Sequence, residues 1–500
     1  MSAKIYPAVQ TGERCADYRV FVNGKEVPLQ TARVSAYPFN RRWPGHQREK
    51  EQTELVNFVS FAVCGETEIV VRPKDGFSCV HIRPRRLPAE SWVGADGSVT
   101  VRLREPSYFT VEPFGTRRAL HIFADPMPSY NVRPGSGVLY FGAGEHDAGT
   151  IELHSGQTLY LEEGAVVYAT VFARDAQNIR ILGRGILDNS KNTEKILFEA
   201  NARGNSTDCG NAVREHAITL VGCENAEIDG ITVRDSLLYN IDCVSCKNVH
   251  IRAVKVIGCW RYNSDGVHFA CCENCSLTDS FLRTYDDAVC VRGYSRYEYD
   301  RWLRGRAGNL PSCKNIRVSG CTIWNDWGKG LQIGTETYAE EIADVIFENC
   351  KIVRVSFGPL YMWLVDNAKV HDVVFRGIDI EFDEYNCPPR IQQADGEVYR
   401  YEYDAEFSCP FIAFLIEKHF EYSMIQREEE LGSISGVLLE DIRFYSVQKP
   451  FFLFAGQNEN SRCERVTCRR LYWNGERIPR ALFERQAQCN EFCSQIELEE

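Results

Sequence analysis

Apolar and polar residues alternate in short runs throughout this chain, the two-residue period of strands that bury one face. In the first quarter such runs are Tyr18–Val22, Phe58–Val63, Glu68–Arg72, Ser98–Arg102 and Ala119–Phe123, rich in β-branched and aromatic residues and separated by Gly, Pro and Asp. Asn23-Gly24 follows the first run and favours a tight hairpin turn. This spacing predicts an N-terminal β-sandwich-like domain over residues 1–125. The Pro- and Gly-rich stretch from Asp125 to Gly144 predicts a linker over 126–149.

From about residue 150 the alternating runs become a repeat. Cys223-Glu224-Asn225, Cys246-Lys247-Asn248, Cys272-Glu273-Asn274 and Cys313-Lys314-Asn315 are one tripeptide pattern at intervals of 23, 26 and 41 residues. Apolar alternation follows each Asn, as in Ile228–Val233, Val249–Ile251 and Ile316–Val318, with weaker copies at Asn178, Asn367 and Val437. A period in the low twenties, short strands and little helical periodicity predict a parallel β-helix, in which single coils bury their inward faces only by stacking. Asn at a fixed turn adopts the left-handed conformation and bonds its next copy; Cys stacks beside it as a small buried group. The fold class is therefore all-β, a right-handed parallel β-helix over 150–480, with 481–500 as a polar, helical tail. The longest interval predicts a loop between Val291 and Pro311, and loss of the repeat from Phe382 to Ser408 predicts another around the same groove.

Charge and cysteine content narrow the partners. A net charge of −12 argues against nucleic acid or an anionic membrane. No apolar run approaches the length of a membrane span. The amino terminus has no export-signal pattern, so a cytoplasmic protein with reduced thiols is expected. The pairs Cys243/Cys246 and Cys272/Cys275 have zinc-like spacing, but they lie one repeat apart and Cys223 and Cys313 keep the repeat without a second Cys. Stacked structural thiols are the expectation, with no metal and no cofactor.

The candidate chemistry is acidic. Asp265, within Asn263-Ser264-Asp265-Gly266, precedes Asp286-Asp287 by about one coil. Residues one coil apart lie about 5 Å from each other. Three carboxylates so close cannot all ionise freely, and one should hold its proton at neutral pH, the requirement for acid–base work on a glycosidic bond. Adjacent residues on a strand face opposite ways, so Asp286 and Asp287 share a site only at a bend.

Asn263-Ser264-Asp265, Asp286-Asp287 and Gly328-Lys329-Gly330, in that order, resemble the active-site motifs of polygalacturonase-type hydrolases, glycoside hydrolase family 28. The sandwich ahead of the helix is similar instead to the dextranase and isopullulanase family, family 49. The resemblance covers about residues 150 to 475 and implies Asp286 as general acid, with Asp265 and Asp287 activating the attacking water. Inversion at the anomeric carbon follows, with acid and base about 6.5–9.5 Å apart. Two departures stand out. Lys329 replaces the family's histidine and cannot act as the same imidazole. The Arg-Ile-Lys element that binds the galacturonate carboxylate is missing, with Thr335–Tyr338 read in its place. That puts polygalacturonate in doubt as the substrate.

Lys329, His268, Arg292, Trp327, Asn263 and Trp302 are the candidate substrate-binding residues, and Trp260, Tyr361 and Trp363 fall at groove edges. Trp302 lies in the inserted segment Tyr294–Arg306, which alternates aromatic and basic residues suited to sugar rings and oxygens. The expected function is inverting hydrolysis of short oligosaccharides, exo-acting, with polysaccharide as the wider substrate class and a homo-oligomer allowed. The alternatives are a β-helix lyase using a cation on the aspartates, and a non-catalytic carbohydrate-binding module.

Overall fold

The structure is a computed structural model that describes residues 2–36, 50, 53–191, 216–261, 263–303, 310–382, 390–391, 400–401, 409–419 and 422–499. The loop expected from Phe382 to Ser408 lies mostly outside them, as does the end of the inserted segment.

Two sheets form the N-terminal sandwich. One runs Ser2–Ile5, Thr53–Cys64, Leu120–Pro126, Ser107–Glu112, His81–Arg83, with Gln30–Ser35 also on Thr53–Cys64; the other runs Lys25–Val27, Tyr18–Val22, Thr67–Pro73, Val99–Leu103, Ala89–Val93. All five predicted runs are strands. Asn23 and Gly24 both take positive φ, 47° and 78°, closing the hairpin as the sequence pattern requires. Alternating residues meet between the sheets, Val20, Ile69 and Val101 from one and Val59, Phe61 and Ile122 from the other.

The rest of the chain winds as a right-handed parallel β-helix whose strands form one continuous 31-stranded sheet. From Arg180–Gly183 to Lys351–Arg354 each strand pairs in parallel with the third one after it, so a coil there contains three strands. Val267–Ala270, Glu273–Thr278 and Phe281–Thr284 thus pair with Val289–Arg292, Cys313–Ser319 and Thr322–Asn325. Both ends differ from the sequence expectation. The coil starts at Val138–Phe141 and Gly144–Glu152, inside the expected linker. At the other end, a helix over Arg480–Gln486 is followed by Ala487–Cys489 and Cys493–Glu499, which add further strands where a tail was expected. Alternation in Cys493–Glu499 is masked by its charged outward residues.

The repeat is the predicted ladder. Asn178, Asn225, Asn248, Asn274 and Asn315 all have φ between 52° and 56–57°. Asn248 Nδ2 donates to Asn225 Oδ1 at 2.9 Å, and Asn315 Nδ2 to Asn274 Oδ1 at 2.8 Å. Register continues the column through Asp344, Asp372, Gly436, Arg465 and Gln495, all left-handed. Asn367, read from sequence as a copy, lies off the column: the true position is Asp372. Cys223, Cys246, Cys272 and Cys313 stack as buried free thiols beside the asparagines, and Cys246 and Cys272 donate to the carbonyls of Leu220 and Cys243.

The sandwich covers the side of the helix that carries Thr232–Arg234, Lys255–Ile257, Phe281–Thr284, Thr322–Asn325 and Lys351–Arg354. Phe58, Tyr108 and Phe123 pack on Val166, Ile257 and Phe281. Buried charges cross the seam in pairs: Lys255 Nζ lies 2.9 Å from Asp125, and Arg354 Nη2 lies 2.6 Å from Glu112. The next turn of each coil lies beside this covered side, and it carries the aspartates.

Candidate active site

The turn between Lys255–Ile257 and Val267–Ala270 ends at Asp265 and Gly266. Val267 pairs with Val289, and Val289 with Leu331, so Asp265, Asp287 and Lys329 occupy equivalent positions on three successive coils. The backbone confirms the stacking: Gly266 N–H donates to the Asp287 carbonyl at 2.9 Å, and Ala288 N–H to the Lys329 carbonyl at 2.9 Å. Two glycines make that approach possible. A Cβ on Gly266 would lie 2.1 Å from the Ala288 carbonyl oxygen. Gly328 has φ +104°, and a Cβ there would lie within 3.0 Å of both Asp286 and Asp287, 2.9 Å and 2.7 Å from their Oδ1 atoms.

Asp286 and Asp287 sit in the bend between Phe281–Thr284 and Val289–Arg292, where strand alternation is broken. Oxygens of Asp265, Asp286 and Asp287 lie within 4.8 Å of one another. That limit on the nearest oxygens leaves space for no more than one water bridging any two of them by ordinary hydrogen bonds of about 2.8 Å. Asp286 Oδ1 accepts from the Asp287 N–H at 2.8 Å. The Asp286 carbonyl is held by the Thr284 hydroxyl at 2.6 Å and by the Asn325 amide.

Burial pushes Asp286 well above the usual carboxyl range, and the charge of Asp287 adds to it while Lys329 opposes. Burial also raises Asp265, followed by the charges of Asp286 and Asp287. Asp287 has a cation: Lys329 Nζ lies 3.2 Å from its Oδ2, and the Lys329 N–H donates to its Oδ1 at 2.7 Å. Burial alone would lower the Lys329 ammonium, but the charges of Asp287 and Asp286 outweigh it and hold the amine protonated.

His268 and Arg292, expected to touch substrate, instead stand behind Asp265. Arg292 Nε donates to His268 Nδ1 at 2.9 Å, which leaves the proton of the neutral ring on Nε2, 3.1 Å from Asp265 Oδ2. Burial, then the Arg292 charge, push the imidazole well below its ordinary value. The remaining Arg292 donors go to Glu298, to the Gly293 carbonyl at 3.2 Å and to Asp242 at 3.4 Å. Both side chains are buried and fully engaged, so neither is available to substrate. Glu298, the anchor of this relay, lies in the inserted segment, on the short helix Arg296–Glu298 capped by Ser295.

The other expected residues divide. Trp327 lies in the Lys329 turn beside Tyr285 at 6.1 Å, and Asn263 is left-handed and half-buried next to Ser264. Trp302 is not brought to the aspartates. It stacks on Phe172 at 5.8 Å, three coils before His268 in register. Trp260 bonds Asp235 at 2.9 Å and lines, with Tyr168, Asp188 and Arg234, a cavity of about 370 Å³ against the sandwich. Tyr361 and Trp363 lie on the coil after Lys329, paired with Gln332 and Gly334. Sequence reasoning missed Glu298, Asn325 and Tyr239, whose ring is 4.2 Å from that of His268; no local pattern marks them. Among the described residues, the groups able to hold a metal are the three aspartates and the set Asp265, His268, Cys290. The second has its imidazole already committed on both nitrogens.

Residues 143–382 match the family model "Glycosyl hydrolases family 28". An exopolygalacturonase (clone GBGE184) of Arabidopsis thaliana is 27% identical over 169 residues, 31% of this chain and 40% of that protein. A polygalacturonase of Gossypium barbadense is 24% identical over 223 residues, 42% and 52% of the two chains. The chain thus spans about half or less of the length of these curated relatives. Dex49A from Penicillium minioluteum superposes with a TM-score of 0.64 at 14% identity, covering 99% of this chain and 96% of that one, which extends the likeness of fold to the sandwich. The stretch holding all three aspartates is therefore similar to glycosyl hydrolases family 28, set in a fold shared along its whole length with Dex49A.

Proposed function

We propose that this protein is a glycoside hydrolase that cleaves by inversion, with Asp286 as the acid that protonates the leaving oxygen and Asp265 and Asp287 activating water. The observation that carries the reading is the buried aspartate trio, its oxygens within 4.8 Å, with Asp286 held towards its protonated form and Asp287 ion-paired to Lys329. That pairing of an acid with a charged neighbour is the division of labour glycoside hydrolysis needs. The match over 143–382 and the names of the relatives, polygalacturonase and exopolygalacturonase, support the same class.

Inversion is what the likeness to glycoside hydrolase family 28 implies, with Asp265 and Asp287 acting on a water and not on the sugar carbon. Asp265 Oδ1 is buried without a partner among the described residues, an acceptor left for the water. Short substrates are supported by the inserted segment, which reaches from Phe172, under Trp302, to the Ser423 carbonyl, 3.2 Å from Arg296 Nη2. The test is a panel of α-glucans, galacturonides, rhamnogalacturonides and arabino- and galacto-oligosaccharides with wild type and Asp286→Asn. Cleavage by wild type that the variant loses by at least about 100-fold supports the assignment; equal rates in the two proteins would sink it. Activity should survive exhaustive chelation, whereas loss in chelator with an ultraviolet-absorbing unsaturated product would mean a lyase.

A further inference from the structure

We infer that the subsite beside Lys329 selects a neutral sugar against a uronate, with Tyr361, Trp363 and Glu336 setting the choice. This deepens the hydrolase reading and rests on it.

A sugar carboxylate entering a buried site needs a cation whose charge is not already balanced, because an unpaired buried charge is among the costliest things a site can hold. Lys329 and Arg292, the cations beside the aspartates, are each already balanced by a carboxylate. Lys329 lies 3.2 Å and 3.5 Å from the two oxygens of Asp287. Arg292 is divided among His268, Glu298, Asp242 and the Gly293 carbonyl. His268, neutral, has both nitrogens engaged.

What surrounds the lysine is aromatic. Its Nζ is 5.4 Å from the centre of the Phe357 ring, 5.7 Å from Tyr361 and 5.4 Å from Trp363. Tyr361 and Trp363 alternate with the core residues Leu360, Met362 and Leu364 on the strand Gly358–Leu364, so both stand on its outer face. His419 meets Trp363 edge to face at 5.5 Å and extends the wall. Aromatic faces favour the C–H faces of a neutral ring and offer a carboxylate nothing.

A further charge near the aspartates is of the wrong sign for a uronate. Glu336 follows the strand Lys329–Thr335, its carbonyl accepting from Gly293 N–H at 3.0 Å. Its half-buried carboxylate has no hydrogen-bond or ion-pair partner among the described residues. A negative charge there adds to the burial and neighbouring carboxylates that push Asp265 and Asp286 up. A sugar carboxylate close to the aspartates would thus face a fourth acid.

The test is titration calorimetry with matched oligosaccharide pairs, each a uronate and the same oligomer reduced at its carboxyl groups, spanning α and β linkages. Wild type, Glu336→Gln and Trp363→Ala are compared, and turnover is followed separately. The inference expects binding of reduced members only, a uronate-to-neutral affinity ratio that rises about tenfold or more in Glu336→Gln, and loss of neutral binding in Trp363→Ala. It is overturned if wild type binds a uronate as well as its reduced partner, if nothing in the panel binds, or if Glu336→Gln leaves the ratio unmoved. Selective neutral binding without turnover would leave the inference standing and remove the hydrolase reading instead.

Discussion

Lys329 stands where the resembling motif has histidine, and its contacts define what it does here. It is the ion-pair partner of Asp287 and its charge draws Asp286 down from the raised value that burial sets. Replacing it by methionine should cut kcat at least tenfold and move the alkaline limb of the rate profile to higher pH, because Asp286 then keeps its proton longer. A limb that stays in place would show that the lysine does not act on the acid. The relay behind Asp265 makes a second prediction. His268→Asn should lower kcat about tenfold to 100-fold with little change in KM, since the histidine aims the carboxylate and touches no substrate; a rise in KM alone would put it back in the binding site. The aspartates were legible because their chemistry needs close spacing and one repeat supplies it. Arg292 was misread because composition shows a basic residue near a site but not that Glu298, six residues on, consumes it.

Among elements, the asparagine column shows how a turn position holds a fold together. Asn248 combines a left-handed backbone with a side-chain bond to Asn225. Asn248→Ala loses both and should cost about 1–3 kcal/mol, while Asn248→Gly keeps the backbone conformation and should cost less. Equal urea midpoints for the two variants would contradict this. The column was readable where it was written in asparagine. It vanished from view at Asp344, Asp372, Gly436 and Arg465, because the position requires a conformation and several residue types accept it. The first coils escaped for a related reason: Gly and Pro around residues 126–149 signal turns, and short strands fit between turns.

At the scale of the molecule, the seam between sandwich and helix depends on buried charges that leave no trace in sequence spacing. Asp125 accepts from Lys255 at 2.9 Å and from the Tyr108 hydroxyl at 2.6 Å. Asp125→Ala would strand the lysine and should destabilise the whole chain by about 3–5 kcal/mol; a small effect, under 1 kcal/mol, would mean the seam is hydrated. Acid should also loosen the fold. Burial lowers His121, His216 and His268 below their unfolded value of about 6.5, His216 to about 3. The unfolded chain therefore takes up protons first, so this stability is present above about pH 6.5 and is lost as pH falls. Asp265 and Asp286, raised in the fold, contribute with the opposite sign. Asp265→Asn combined with Asp286→Asn should therefore steepen the acid loss in denaturation midpoints between pH 7.5 and 5, and an unchanged slope would contradict the assignment.

The central claim is that three aspartates deliver water directly to an anomeric carbon. The most direct measurement is proton NMR of the first product formed from a cleaved oligosaccharide, recorded before mutarotation, with the reaction repeated in ¹⁸O-water. The account predicts the inverted anomer, label on the new reducing end, and no product from Asp286→Asn. A retained anomer, or an unsaturated product without label, would contradict it.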